Sequence, residues 1–397
     1  MKVHYVLKRY PRLSETFVVR ELATLEALGA QVSVDSLMAP EDGPRHAEVQ
    51  HVRAAVRYLP RRPGWAATAL RVGLRRPRAV WREVRRARSR ARAGDAVALR
   101  RLAHGLLVAE RVLAEQPDVL HAHFATAAAE VAAVASRVTG VPVTVTAHAK
   151  DVFHTENADV LAGRLDGVAA VVTVSEYNLE HLGRTLPGTR IRLVRNGVPL
   201  GRPNVVHAGR RDAPVLCVCR LVPKKGVDVL VRAVALAAVD DPWVRLDVIG
   251  DGPLREELVD LARELGVADR VTFHGAMDSA GVEAAYARAS LVALPCRVDG
   301  DGDRDGLPTV LVEALARGLP VVSTDVVGIP ELVRDRATGR LVAPDDPPAL
   351  ARAVAELRAD PVAARALGAA GRELVAADYA PDRSGRALLG VWTEVRR

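Results

Sequence analysis

The stretch DGLPTVLVEALARGLPVVST, residues 305–324, packs a loop, a helix and a strand into one short run. Asp305 precedes a Gly-Leu-Pro turn, Pro308 opens a helix, and Glu313 sits one and a half turns inside it. LPVVST then reads as a strand, a short β-branched run bounded by turn residues. The first amides of a helix have no intrahelical acceptor, so those of Thr309 and Val310 face whatever lies before the helix. Hydrogen bonding and the helix dipole both favour a diphosphate there. Glu313, among Val312, Ala314 and Leu315, is placed to accept from ribose hydroxyls. The plainer alternative is an i,i+4 pair of Glu313 with Arg317, with Asp305 as a simple loop residue.

Upstream, CRLVPKKGVDVLVRA (219–233) places Arg220 at the carboxyl end of a strand and Lys225 just before a helix. Two cations there face the ligand crevice of a parallel sheet and can neutralise a leaving diphosphate. Fifty-one of the fifty-six basic residues are Arg, and Lys occurs only at 2, 8, 150, 224 and 225. A Lys kept in so biased a chain points to a need for a compact ammonium. GDGP (250–253) is a tight strand-to-helix turn in which Gly252 allows close backbone approach and Pro253 suits the first helical position. It lacks the third glycine of a dinucleotide fingerprint, which argues against a dehydrogenase. DGDGDRDG (299–306) imitates a calcium loop, but either register leaves valine, Val310 or Val312, where a bidentate Glu is needed.

Short β-branched runs alternate with amphipathic stretches over the rest of the chain, the pattern of parallel α/β domains. VHYVLK, QVSVDSL, DVLHAHF, VPVTVTAH, VAAVVTVS and RIRLVRNG read as strands of a first domain, with a helix near 15–28 capped by Ser14 and closed by Gly29. APVLCVCR, WVRLDVIG, RVTFHG, SLVALP, LPVVST and GRLVAP read as strands of a second. The fold expected is α/β: two Rossmann-like, doubly wound domains facing across a cleft. The divisions are 1–198, a linker over 199–213, 214–375, and a terminal helix over 376–397 packing back across the junction.

The formal net charge of +8 is uneven. Residues 53–101 hold sixteen Arg against Glu83 and Asp95, a balance of +14, so the rest of the chain sums to −6. A generally basic nucleic-acid binder is thereby excluded. The basic segment reads as an insert in the first domain. It mixes Trp65, Leu70, Leu74, Val80 and Trp81 with its arginines, which suits either an anionic membrane surface or a solvated helical excursion. Cys217, Cys219 and Cys296 suit neither a disulfide framework nor zinc, and fit a reducing cytoplasm. No run reaches membrane-spanning length, and charge interrupts MKVHYVLKRYPR too soon for a signal peptide. The expected location is cytoplasmic, with peripheral contact at the inner face of the cell membrane as an option. His121, His123, His148 and His154 invite a metal reading, but no third ligand has diagnostic spacing, so they read as separate strand-end residues and no metal site is assigned.

Four motifs in order, CRLVPKKGVDVL, VIGDGPLREEL, RVTFHG and DGLPTVLVEALARGLPVVSTDVVGIPEL, make residues 214–355 resemble the C-terminal half of retaining family 4 glycosyltransferases of GT-B fold. RYPRLSETFVVREL, DVLHAHF, TAHAKDVF and VVTVSEYN extend the resemblance to the branch making exopolysaccharides of the colanic-acid type. It implies that Arg220 and Lys225 bind the nucleotide diphosphate, that Glu313 holds the ribose, and that amides following Gly306, at Leu307, Thr309 and Val310, hold phosphates and sugar. Asp305 stands where the family usually has Glu, one methylene shorter, and faces the sugar hydroxyls and the anomeric carbon. Pro199 stands where an acid often follows Asn-Gly-Val. His148 matches a position near the donor sugar, as a hydrogen-bond donor or orienter. The resemblance implies transfer of a hexose from a nucleotide diphosphate sugar to a hydroxyl of a saccharide, free or lipid-linked, with retention and without a metal or other cofactor. A nucleotide-sugar 2-epimerase of the same fold, or a membrane-binding module without catalysis, are the alternatives.

Overall fold

Burial follows the two-residue period of a strand in the first sheet. Val3, Tyr5 and Leu7 face one side, while Val6 faces the other with Leu120, Ala122 and Val145. A sheet buried on both faces needs helices on both, and parallel strands need crossovers to bring them there. The computed structural model describes residues 1–40, 46–61, 65–155, 160–203 and 212–396. Within them, strands β1 (Lys2–Leu7), β2 (Gln31–Ser36), β3 (Ala55–Tyr58), β4 (Val119–His123), β5 (Val143–Ala147), β6 (Ala170–Thr173) and β7 (Ile191–Leu193) form a parallel sheet in the order β3-β2-β1-β4-β5-β6-β7. Strands β8 (Val215–Val218), β9 (Leu246–Ile249), β10 (Val271–Gly275), β11 (Leu291–Leu294), β12 (Val321–Thr324) and β13 (Arg340–Val342) form a second, in the order β10-β9-β8-β11-β12-β13. Both are doubly wound α/β domains. Strand order reverses beside β1 and β4 in one and beside β8 and β11 in the other, which is where such sheets bind ligands.

The terminal helix, Pro381–Val395, lies on the first sheet although the chain reaches it from the second domain. Trp392 is fully buried among Tyr5, Leu388 and Val391, and its Nε1 donates to Thr144 Oγ1 at 2.9 Å. Of the expected linker, residues 204–211 lie outside the described residues.

Several local expectations shift. The first helix, Thr16–Ala27, is capped at Glu15 and not at Ser14, because an Arg12–Glu15 turn delivers the chain one residue later. Gly29 closes it at φ +85° as expected. Pro253 is not helical: the helix runs Arg255–Glu264, since Leu254 N is used to bond Leu221 O. Residues 53–101 are no insert, because they supply the edge strand β3 and begin the crossover to β4 through helices Trp65–Arg75, Pro77–Arg92 and Ala98–Glu115. The strand is hard to see in the sequence because AVRY is short and carries Arg57, whose charge is met by the buried Asp35 at 2.6 Å. Val80 is buried in the core under these helices, whereas Leu70, Leu74 and Trp81 are exposed.

Candidate active site

The carboxyl ends of β8 and β11 diverge at the reversal of strand order, and the loops that leave them wall a cavity of about 700 Å³ between the domains. Arg220, Lys225, Asp305, Thr309, Val310 and Glu313 all line it, so residues far apart in sequence meet as expected. Pro308 sits at the cap of the helix Thr309–Ala316, with no side chain capping the first amides. Those donors stay open toward the cavity.

Lys225 Nζ bonds Asp305 Oδ2, and Lys224 Nζ lies 3.2 Å from Asp305 Oδ1 and 3.0 Å from Asp303. Burial alone would raise the Asp305 carboxyl, but the two ammonium groups and their hydrogen bonds outweigh it and hold its pKa at about 2. The same pairing overcomes burial at Lys225 and keeps the ammonium charged. Arg220 is exposed and has no ion-pair partner among the described residues, which leaves its guanidinium available to a ligand. Lys224 is a site residue that sequence reasoning missed, although its place beside Lys225 in an arginine-rich chain is a usable signal.

Glu313 does not pair with the Arg317 guanidinium, which goes to Glu283 and to the Glu313 backbone oxygen. Its carboxylate instead accepts from Arg20 Nη1 at 2.6 Å and from the Tyr286 hydroxyl at 3.1 Å. Arg20 belongs to the first domain, so this contact spans the cleft. Arg20 lies inside the run RYPRLSETFVVREL and Tyr286 in none of the quoted motifs, and nothing in the sequence marks either for this contact.

Two glycines explain how closely the loops pack. A Cβ on Gly306 would lie 2.6 Å from His148 O, and one on Gly252 would lie 2.4 Å from Leu221 O. Gly306 thus brings the helix entrance against the first domain. Gly252 seats its turn on the β8 loop, while Gly250 and Asp251, not Gly252, line the cavity. Leu307 is buried in the second-domain core just before the helix, and neither it nor Gly306 lines the cavity.

His148 lies off the cavity wall, stacked on His123 and in tilted ring contact with Phe17 and Phe124. The histidines are not separate strand-end residues. His123 Nδ1 and His148 Nε2 are 3.0 Å apart, and His123 Nε2 lies 2.8 Å from Glu21 Oε1. Glu21, His121 and His123 bring ligand atoms within 4.8 Å of one another, the third group that sequence spacing could not supply. Yet His121 spends its nitrogens on Thr144 and Thr146, at 2.7 and 3.0 Å, and His123 spends its own on Glu21 and His148. Protein partners therefore occupy both nitrogens of both rings. His154 is elsewhere, 2.9 Å from Asp301.

Two doubly wound domains around such a cleft, with cations and a bare helix end at the reversal of strand order, define the GT-B class. The family described as "Glycosyl transferases group 1" matches residues 207–374, and "Glycosyltransferase Family 4" matches residues 75–202. WcaL of Salmonella typhimurium, named as a putative colanic acid biosynthesis glycosyltransferase, is 30% identical over 98% of both chains. The chain belongs to the family 4 glycosyltransferases, in their exopolysaccharide branch. A GDP-mannose-dependent phosphatidylinositol monomannoside mannosyltransferase of Mycobacterium tuberculosis is 37% identical over 54% of this chain, a match that spans only 59% of that protein. Among solved structures, Anabaena Alr3699/HepE in complex with UDP and glucose superposes with a TM-score of 0.75 over 99% of both chains at 18% identity, a likeness of fold.

Proposed function

We propose that the chain transfers a hexose from a nucleotide diphosphate sugar to a hydroxyl of a saccharide acceptor, with retention and without a metal, in polysaccharide or glycoconjugate synthesis. The observation that carries this reading is the set of Arg220, Lys224 and Lys225 beside the uncapped helix Thr309–Ala316. An oxocarbenium-like transition state sheds a diphosphate, and preorganised cations and amides stabilise that charge where it develops. Glu313 takes the ribose after exchanging Arg20 for its hydroxyls. Asp305 faces the sugar, and the departing phosphate takes the acceptor proton on the same face. The relatives support the donor and acceptor classes: one is named for GDP-mannose and a phosphatidylinositol mannoside, another for colanic acid, and HepE was solved with UDP and glucose.

Melting the chain with GDP, UDP, GDP-mannose and UDP-glucose tests the donor site, since a ligand at a hundred times its Kd adds about 2.7 kcal/mol. Products are then compared with and without a saccharide acceptor. Sugar transferred only with acceptor supports the proposal, and an isomerised donor formed without acceptor overturns it in favour of an epimerase.

The acceptor's address is part of the same reading. Leu70, Leu74 and Trp81 are exposed among the arginines of the helices Trp65–Arg75 and Pro77–Arg92. Such a face complements an anionic bilayer bearing a lipid-linked saccharide. No helix among the described residues is long and apolar enough to cross a membrane.

A further inference from the structure

We propose that Arg20 is a self-inhibitory latch on the donor site: between turnovers its guanidinium holds Glu313, and a nucleotide binds there only by displacing it. The latch rests on the nucleotide-sugar reading of the cleft and adds a regulation to that site. Arg20 Nη1 lies 2.6 Å from Glu313 Oε1, and both side chains line the cavity. Arg20 stands on the first domain's helix Thr16–Ala27 and Glu313 on the second domain's helix Thr309–Ala316, so the pair ties the two walls together. Glu313 Oε2 accepts from the Tyr286 hydroxyl at 3.1 Å, and Tyr286 is buried in the second-domain core. The two donors therefore differ in anchorage. Tyr286 shares a domain with Glu313 and stays with it however the cleft opens, whereas Arg20 is held only across the gap. A planar guanidinium at that distance covers the approach to Oε1, so a ribose hydroxyl reaches this oxygen by taking the place of Arg20.

A latch needs a second resting place, and the first domain supplies one. Glu48, on the short helix Ala47–His51, also lines the cavity. Burial alone would raise its carboxyl, but the Ser279 hydroxyl, which donates to it across the cleft at 2.7 Å, outweighs that, and the charge of Arg20 adds to the lowering. Arg20 already lies in the field of a carboxylate on its own domain. Released from Glu313, it has a counter-ion that does not cross the cleft. The exchange keeps every charge partnered: ribose hydroxyls meet Glu313 while the guanidinium meets Glu48. Such a contact weakens a ligand in proportion to how often it is closed, because only the fraction of chains with a free site can bind. The nucleoside diphosphate left after transfer carries the same ribose, so the returning Arg20 also opposes its retention. A cation in a cleft for an anionic ligand ordinarily strengthens binding, whereas the latch makes its removal do so. That reversal of sign is its signature.

The test titrates the full chain with GDP, UDP and ADP by calorimetry and follows whichever binds. Arg20→Met keeps the alkyl stem and removes the charge. It should bind that nucleotide about tenfold tighter, the factor for a latch closed about nine-tenths of the time. Inorganic diphosphate, which carries charge but no ribose, should gain nothing from the same substitution. In a Glu313→Ala chain, which offers no carboxylate to hold, Arg20→Met should no longer tighten the nucleotide. Unchanged or weaker nucleotide binding in Arg20→Met, an equal gain by diphosphate, or a gain that persists without Glu313 would each overturn the latch while leaving the nucleotide-sugar reading in place. Binding of none of the three nucleotides to either the wild type or Arg20→Met would overturn that reading, and the latch with it. Should Arg20→Met not fold, Arg20→Gln, which loses the charge but keeps a donor, decides the sign.

Discussion

The two halves of the cleft are made by different means. The second domain builds its wall from loops that follow single strands, so Arg220, Lys224 and Lys225 fall within six residues, and Asp305, Thr309 and Glu313 within nine. Charge and open backbone amides are what that wall presents. The first domain builds its wall from the entrance and first turns of the helix Thr16–Ala27, through Arg12, Leu13, Ser14, Thr16 and Arg20, and from His46 and Glu48. Its one ion pair across the cleft, among the described residues, is Arg20 Nη1 on Glu313 at 2.6 Å. A leaving diphosphate needs preorganised charge, so the ionic half suits leaving-group chemistry, while the first-domain half meets it across the cleft chiefly through Arg20.

The sharpest way to break this contrast is to remove charge from the second half. Lys225→Ala should lower turnover about 10³-fold, roughly 4 kcal/mol of transition-state stabilisation. Near-normal kcat, measured with whichever sugar nucleotide raises the melting temperature, would place leaving-group stabilisation elsewhere. Next comes the packing of the first half. Trp392→Ala removes a fully buried ring and its bond to Thr144, and should cost about 3 kcal/mol of unfolding free energy. Because that helix belongs in sequence to the second domain, the loss should be seen in the first domain's amide exchange. Uniform loss over both domains would mean the halves do not differ in how they are held.

Legibility in the sequence divides along the same line. The motifs of the second domain are contiguous, so Lys225, Asp305 and Glu313 stand out from local spacing alone. Glu21, Arg20 and Tyr286 do not, because their partners lie 102, 293 and 27 positions away and no local pattern records such a contact. His123 is visible in its His-x-His run but its partners are not, so the spacing presents it as solitary. The strand β3 hides behind its arginine, and a segment with a +14 balance resembles an insert although it carries the sheet's edge.

A smaller effect tests whether the ionic half is also a stabilising one. Asp305 has its carboxyl pKa depressed from 3.8 to about 2. A depressed carboxyl adds stability that is complete above its unfolded value and is lost as pH falls through the folded one. Wild-type unfolding free energy should therefore drop between about pH 4 and pH 2 by an amount on the order of 2 kcal/mol from this group. Asp305→Asn should be less stable at pH 7 and flatter over that window. An identical acid slope in the variant would show that the lysine pair does not hold Asp305 as described.

The least effect is expected where the first domain meets solvent, and it separates two kinds of arginine. Arg101 reaches the buried Glu130 at 2.8 Å, while Arg82 is exposed with no partner among the described residues. A cation that completes a buried pair is needed by the fold; one that faces only water is free for a surface. On vesicles containing anionic lipid, Arg82→Gln should weaken binding about fivefold, since each basic side chain near such a surface contributes about 1 kcal/mol, and should leave stability within about 0.5 kcal/mol. Arg101→Gln should do the reverse, lowering stability while binding holds. Sedimentation at low and high salt reads both, because screening must abolish the attraction if it is electrostatic. Binding that ignores salt, or that falls equally in the two variants, would remove the membrane from the acceptor's address and leave these helices as a solvated cover over the crossover to β4.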